Sequence, residues 1–136
     1  MTQLGNIDEL THAIIGCAME VHQVLSLGFA ESVYQNSLVL ELSSKRIPFE
    51  QYIKLKVSYK NRNVGDYEAD MIVENRVLLE LKALSILLPQ HEAQLVNYLC
   101  ATGISTGLLL NFGHQTLQVK LKSAQYRPPS SPSCES

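Results

Sequence analysis

What this sequence lacks narrows its class before any motif is read. No apolar run reaches the about 18 residues that a membrane-spanning helix needs, so no membrane attachment is expected. The opening MTQLGNIDEL has neither a positively charged nor an apolar leader region, so no secretory signal is expected either. Cysteine is scarce. Cys17, Cys100 and Cys134 stand far apart with no C-x-x-C pair, which argues against a cysteine zinc site and a disulfide framework and makes the cytoplasm the expected location. Cys17 and Cys100 read as small core residues. Positive charge is not in excess: 11 Lys and Arg against 13 Asp and Glu give a net charge of −2, so composition alone announces no nucleic-acid binder. What is present is 136 residues, 46% of them hydrophobic, enough for one domain whose core needs neither disulfides nor a structural metal.

The charges are unevenly placed. Residues 1–44 contain no Lys or Arg but five acids, Asp8, Glu9, Glu20, Glu31 and Glu41. Residues 45–62 hold Lys45, Arg46, Lys54, Lys56, Lys60 and Arg62 against Glu50 alone, and Lys120, Lys122 and Arg127 form a third cluster. Two readings are open: solvated strand faces with lysine-guarded edges, or a local phosphate-binding surface on a near-neutral protein.

Ile7, Leu10, Ile14, Cys17, Ala18, Val21 and Leu25 recur at helical spacing, with Asn6 and Asp8 available as caps; this predicts an amphipathic helix ending near Ser26. A second helix is expected over Ala30–Ser43. The period then changes to alternation. Strands are expected over Tyr52–Tyr59, Gly65–Val73 and Val77–Ala83, joined by turns at Lys60–Asn63 and Glu74–Arg76. A helix over Glu92–Ala101 is stopped by Gly103. Gly107–Phe112 reads as a strand buried on both faces and Thr116–Lys122 as an alternating edge strand. From Ser123 to Ser136 the chain is rich in Ser and Pro and is expected to be a disordered tail, leaving residues 1–122 as a single mixed α/β domain.

The third strand carries residues foreign to a core. Glu80, Lys82 and Ser85 alone interrupt an aliphatic run from Val77 to Leu88, and ionised groups on a central strand cost several kcal/mol unless paired. Glu80 and Lys82 are two apart and share a strand face. If Glu74–Arg76 is a three-residue turn pairing Val73 with Val77, Asp70 lies opposite Glu80 on that same face. Facing carboxylates repel, and a hard divalent cation such as Mg²⁺ or Mn²⁺ turns the repulsion into attraction. An internally satisfied Asp70–Lys82–Glu80 salt-bridge cluster is the alternative. Gly28, Glu31, Tyr34 and Gln35 lie along one face of the second helix, where Glu31 is either a solvated acid or a further oxygen ligand. His12, His22, His91 and His114 have no metal-binding spacing. Tyr52, Tyr59 and Tyr67 suit strand packing and base stacking equally.

Gly28-Phe29-Ala30-Glu31-Ser32-Val33-Tyr34 resembles the signature of the GxxExxY family of the PD-(D/E)XK nuclease-like superfamily. The resemblance continues through residues 65–73, Leu79-Glu80-Leu81-Lys82-Ala83, residues 91–99 and residues 107–113, covering roughly 8–122. Ala69 stands where many superfamily members carry Pro. The resemblance implies a restriction-endonuclease-like core, a central mixed sheet of about five strands flanked by helices. It implies phosphodiester hydrolysis of DNA or RNA by a metal-activated water, with Mg²⁺ or Mn²⁺ as cofactor. Asp70 and Glu80 would hold the metal with Glu31 as a further ligand, and Lys82 would complete the catalytic group. Gln94 and Tyr98 resemble the Gln…Tyr element of the exonuclease-like branch and are expected at the substrate, as are Tyr34 and the phosphate contacts Lys54 and Lys56. The alternative to cleavage is a non-cleaving module for nucleic acid, nucleotide or protein on the same fold, or a protein active only as a homodimer or in a larger complex.

Overall fold

The computed structural model describes residues 5–124. The chain runs α1 (Ile7–Leu25), α2 (Glu31–Ser44), β1 (Phe49–Tyr59), β2 (Arg62–Val73), β3 (Val77–Lys82), α3 (Pro89–Thr102), β4 (Thr106–Asn111) and β5 (Gln118–Ser123). The five strands form one sheet in sequence order. All neighbours are antiparallel except β3 and β4, which are parallel and joined by α3. This is the expected mixed sheet with helices on both sides, an α+β fold consistent with a restriction-endonuclease-like core.

Local chemistry accounts for the element ends. Asn6 caps α1: its side chain accepts from the Glu9 N–H while Glu9 accepts from the Asn6 N–H. The first turn of α3 starts at Pro89, earlier than the expected Glu92, because proline there forfeits no helical hydrogen bond. Gly103 ends α3 at φ 76°, a left-handed cap. β1 starts at Phe49 rather than Tyr52, since Phe49 still pairs with Val73. β5 reaches Ser123, paired with Thr106, and the Ala124 N–H donates to Ser105. The folded part therefore passes the expected boundary at 122, and the rest of the expected tail, 125–136, lies outside the described residues.

Two apolar layers sandwich the sheet. Leu10, Ile14, Cys17, Ala18 and Val21 of α1 and Tyr34, Leu38 and Leu42 of α2 pack on Met71, Val73, Val77, Leu79, Leu81, Leu108, Leu110 and Phe112. On the other face, Leu95, Tyr98 and Leu99 of α3 pack on Leu55, Ala69, Ile72, Leu78 and Leu109. β3 and β4 therefore feed both layers, the reason neither alternates in hydrophobicity. Cys17 is buried as expected, whereas Cys100 is only half-buried. No described helix is long and apolar enough to cross a membrane.

The β1–β2 hairpin changes side partway along. Phe49 and Met71 belong to the α1–α2 layer, but Ile53, Leu55 and Ala69, also odd-numbered, belong to the α3 layer. Strict alternation would keep them together. It slips between the pairs Gln51–Met71 and Ile53–Ala69, where Tyr52 takes φ 56° and neither Tyr52 nor Asp70 joins the paired register. The hairpin thus bends at Asp70, and its outer half leaves β3.

Candidate active site

The β2–β3 turn has the expected three residues. Val73 pairs with Val77, the Arg76 N–H donates to the Val73 carbonyl, and Glu74 and Asn75 both take positive φ. The register continues through Ile72–Leu78 and Met71–Leu79 and stops there, one pair short of Asp70–Glu80. Side chains take over where the backbone ladder ends. The Asp70 N–H donates to Glu80 Oε2 at 2.9 Å, and the Leu81 N–H donates to Asp70 Oδ2 at 2.7 Å. Each carboxylate thus grips the other strand's backbone across the fork. The sequence placed the two acids opposite each other; the structure adds that they are fixed by reciprocal bonds to main chain.

Asp70 Oδ1 and Glu80 Oε1 make no hydrogen bond among the described residues. Glu80 is 5% exposed. Burial, then the charge of Asp70, pushes its carboxyl up to about 8. Asp70 is raised as well, by burial first, against the lowering effect of the Leu81 N–H. Lys82 lowers both acids through its charge. Its ammonium makes no ion pair or hydrogen bond among the described residues, so the internally satisfied salt-bridge cluster is not what the fold contains. Glu31 is exposed in the first turn of α2, and its charge raises both Asp70 and Glu80.

A close pair of partly dehydrated carboxylates with oxygens to spare and no bonded cation suits a hard divalent ion. No group of three or more His, Cys, Asp or Glu is gathered at metal-holding distance among the described residues. Glu31 acts on both acids through its charge.

Tyr98 of α3 is 7% exposed, and burial followed by the charge of Glu80 pushes its hydroxyl up to about 12. Its ring lies 6.0 Å from that of Tyr67. Gln94, one turn earlier, is half-buried with no hydrogen bond among the described residues. Both expected α3 residues therefore share the helix that covers the site.

The structure gives three further expected substrate residues different surroundings. Tyr34 is fully buried and stacks on Phe112 with centroids 4.8 Å apart. Its hydroxyl donates to the Ser26 carbonyl at 2.6 Å and accepts from the Phe29 N–H, so it locks the α1–α2 loop and is closed to substrate. Gly28, at φ 107°, allows that loop to turn. Lys54 and Lys56 are exposed on β1, but Glu68 and Asp66 stand directly opposite them, and Lys56 lies 3.6 Å from Asp66. The lysines do not form an uncompensated cationic track.

Other positioning residues had no role assigned from the sequence, although Gln35 was placed on the Glu31 face of α2. Gln35, 4% exposed, donates to the Asp70 carbonyl and to Gln51, tying the bend of both hairpin strands to α2. Asn111, fully buried, accepts from the Leu84 and Gly113 N–H groups and donates to the Leu84 carbonyl and to Gln118. The Phe112 N–H donates to the Lys82 carbonyl, so the backbone of Lys82 and of the two residues after it is held by the end of β4. A Cβ on Gly113 would meet Leu84 N at 2.3 Å, so only glycine permits this approach. A buried Asn at the end of an apolar strand, followed by Gly two residues on, was the available signal.

Comparison with known families finds a match, over residues 8–124, to the model described as the PD-(D/E)XK nuclease superfamily. Searches of curated proteins and of solved structures find no match.

Proposed function

Since the chain belongs to the PD-(D/E)XK nuclease superfamily, we propose that it is a metal-dependent nuclease that hydrolyses phosphodiester bonds of nucleic acid. The observation that carries this reading is the reciprocal Asp70–Glu80 clasp at the fork, with Lys82 beside it and unpaired among the described residues. A finer membership, in the GxxExxY family, rests on Gly28, Glu31 and Tyr34 in their order.

Asp70 and Glu80 would hold Mg²⁺ or Mn²⁺, with Glu31 strengthening the local negative charge. Such an ion lowers the pKa of a bound water and takes up charge on the scissile phosphate. The protein's own work is positional. Backbone N–H bonds fix one oxygen of each acid and leave the other without a hydrogen bond among the described residues, available to a cation. Lys82, anchored through its carbonyl by Phe112, presents an ammonium that orients the attacking water and balances negative charge on the phosphate. Tyr98, protonated at all ordinary pH values, donates a hydrogen bond to phosphate or base, and Gln94 does so one turn away. A cytoplasmic location accompanies this reading.

Calorimetric titration with Mn²⁺, paired with cleavage of mixed DNA and RNA, tests it on wild type and Asp70→Asn. Metal binding and cleavage lost together in the variant support it. Wild type that binds nucleic acid without Mn²⁺ and never cuts would make the protein the non-cleaving module instead.

A further inference from the structure

Tyr67 lies on the outer half of β2, past the bend, paired with Leu55 of the α3 layer. It is 48% exposed, although it packs against the deepest polar group of α3: its ring centroid is 6.0 Å from Tyr98 with the planes at 51°. Two residues back, Gly65 leaves room for the ring. A Cβ there would stand 3.1 Å from Tyr67 Cε2. The ring is thus propped between the Gly65 backbone and Tyr98, with half its surface in solvent. Tyr98 in turn feels the charges of Glu80 and Asp70. A fixed, half-exposed aromatic surface therefore sits one ring away from the carboxylate pair.

Charge says what such a surface must do. Lys54 and Lys56 face Glu68 and Asp66, so the charges beside Tyr67 offset one another, while Lys60 and Arg62, which pair with no acid among the described residues, sit apart at the hairpin tip. Phosphate attraction beside Tyr67 is therefore weak, and a polynucleotide bound there needs another source of affinity. Nucleobases supply it by stacking on aromatic rings, and their faces are available only in single strands or splayed ends.

We propose that Tyr67 is a base-stacking residue, and that the polynucleotide taken by this site is single-stranded, held by stacking more than by phosphate contacts. The inference rests on the nuclease reading for its position beside the carboxylates and not for the stacking itself.

Octamers of dA and of rA carrying a central 2-aminopurine, alone and annealed to their complements, are titrated with the protein in EDTA. Quenching and anisotropy are followed over a range of salt. Single strands should quench and bind at least about tenfold tighter than duplexes, with a log–log salt slope near about −1. Preference for the deoxy or the ribo octamer identifies the sugar; either result supports the proposal. Tyr67→Leu keeps an apolar body against Gly65 and Tyr98 and should weaken single-strand binding about tenfold and abolish quenching, whereas Tyr67→Phe retains both. Tyr59→Leu, at the hairpin tip, should change nothing, and circular dichroism checks that every variant is folded. Equal binding of duplex and single strand, a steep salt slope, no binding at all, or an unaltered Tyr67→Leu overturns the proposal. Quenching by a wild type that never cleaves with Mn²⁺ defeats the nuclease reading alone. Mn²⁺-dependent cleavage untouched by Tyr67→Leu defeats this proposal alone.

Discussion

Glu80 is the residue whose energetics and chemistry pull in opposite directions. A buried carboxyl that titrates near pH 8 binds a proton more tightly folded than unfolded, where its ordinary value is 4.5. The native state therefore holds more protons, and metal-free stability falls as pH rises from about 4.5 to about 8. The loss is roughly 3–5 kcal/mol for a shift of this size. Glu80→Gln keeps an oxygen for the Asp70 N–H and removes the titration. Thermal melts in EDTA should show the variant more stable than wild type at pH 8, little different at pH 5, and inactive in cleavage. A variant no more stable than wild type at pH 8 would mean the carboxylate is not destabilising in the native site. Lys82→Ala should lower cleavage at least about 100-fold with the melting temperature almost unchanged, because its ammonium bonds to nothing among the described residues.

At the scale of elements, the end of β4 sets the position of β3. Gly113→Ala forces a methyl group into the Ala83–Leu84 backbone and should cost roughly 2–3 kcal/mol, seen as a lower denaturation midpoint. Displacing this stretch also moves Lys82, so cleavage should fall beyond what the unfolded fraction explains. Tyr34→Phe removes both hydroxyl bonds, the one to the Ser26 carbonyl and the one from the Phe29 N–H. It should cost roughly 1–3 kcal/mol, again seen as a lower denaturation midpoint, while leaving the Phe112 stack. These same elements show how much was legible in the sequence. Helix α1, the three-residue turn and the register from Val73–Val77 to Met71–Leu79 followed from periodicity and turn length, because those are local properties; that the ladder stops short of Asp70–Glu80 did not. The slip at Tyr52 did not, since a positive φ at a tyrosine leaves no mark in a pattern of apolar residues. Nor did the acids opposite Lys54 and Lys56. Counting charges along the chain made a basic strand, and pairing across the hairpin neutralised it. Glu31 and Tyr34 share a helical face in the sequence, yet one ends exposed at the site and the other in the core, a difference set by the loop that Tyr34 locks.

For the whole molecule, the site joins parts of unequal support. β3 and β4 are covered on both faces, whereas the outer half of the β1–β2 hairpin has only its own pairing and one edge of α3. Amide exchange should be slowest in β3 and β4 and, among the strands, fastest at the hairpin tip from Ser58 to Val64, beyond the register shift. The exposed Lys56–Asp66 pair adds little there, and Lys56→Ala should leave the global melting temperature unchanged. A cation held by Asp70 and Glu80 would tie β2 to β3 at the point where the ladder stops. Mn²⁺ at about 100 times its dissociation constant should raise wild-type stability by about 2.7 kcal/mol, and the Asp70→Asn/Glu80→Gln double variant should lose that gain in the same melts.

Tyr34, Phe112 and the Lys82 carbonyl form a mechanical line from the first interhelical loop to the strand that carries Glu80 and Lys82. Its parts are needed for folding whether or not a phosphate is ever cut. A descendant that had lost its chemistry would therefore still need Gly28 and Tyr34, while Asp70, Glu80 and Lys82 would be free to drift.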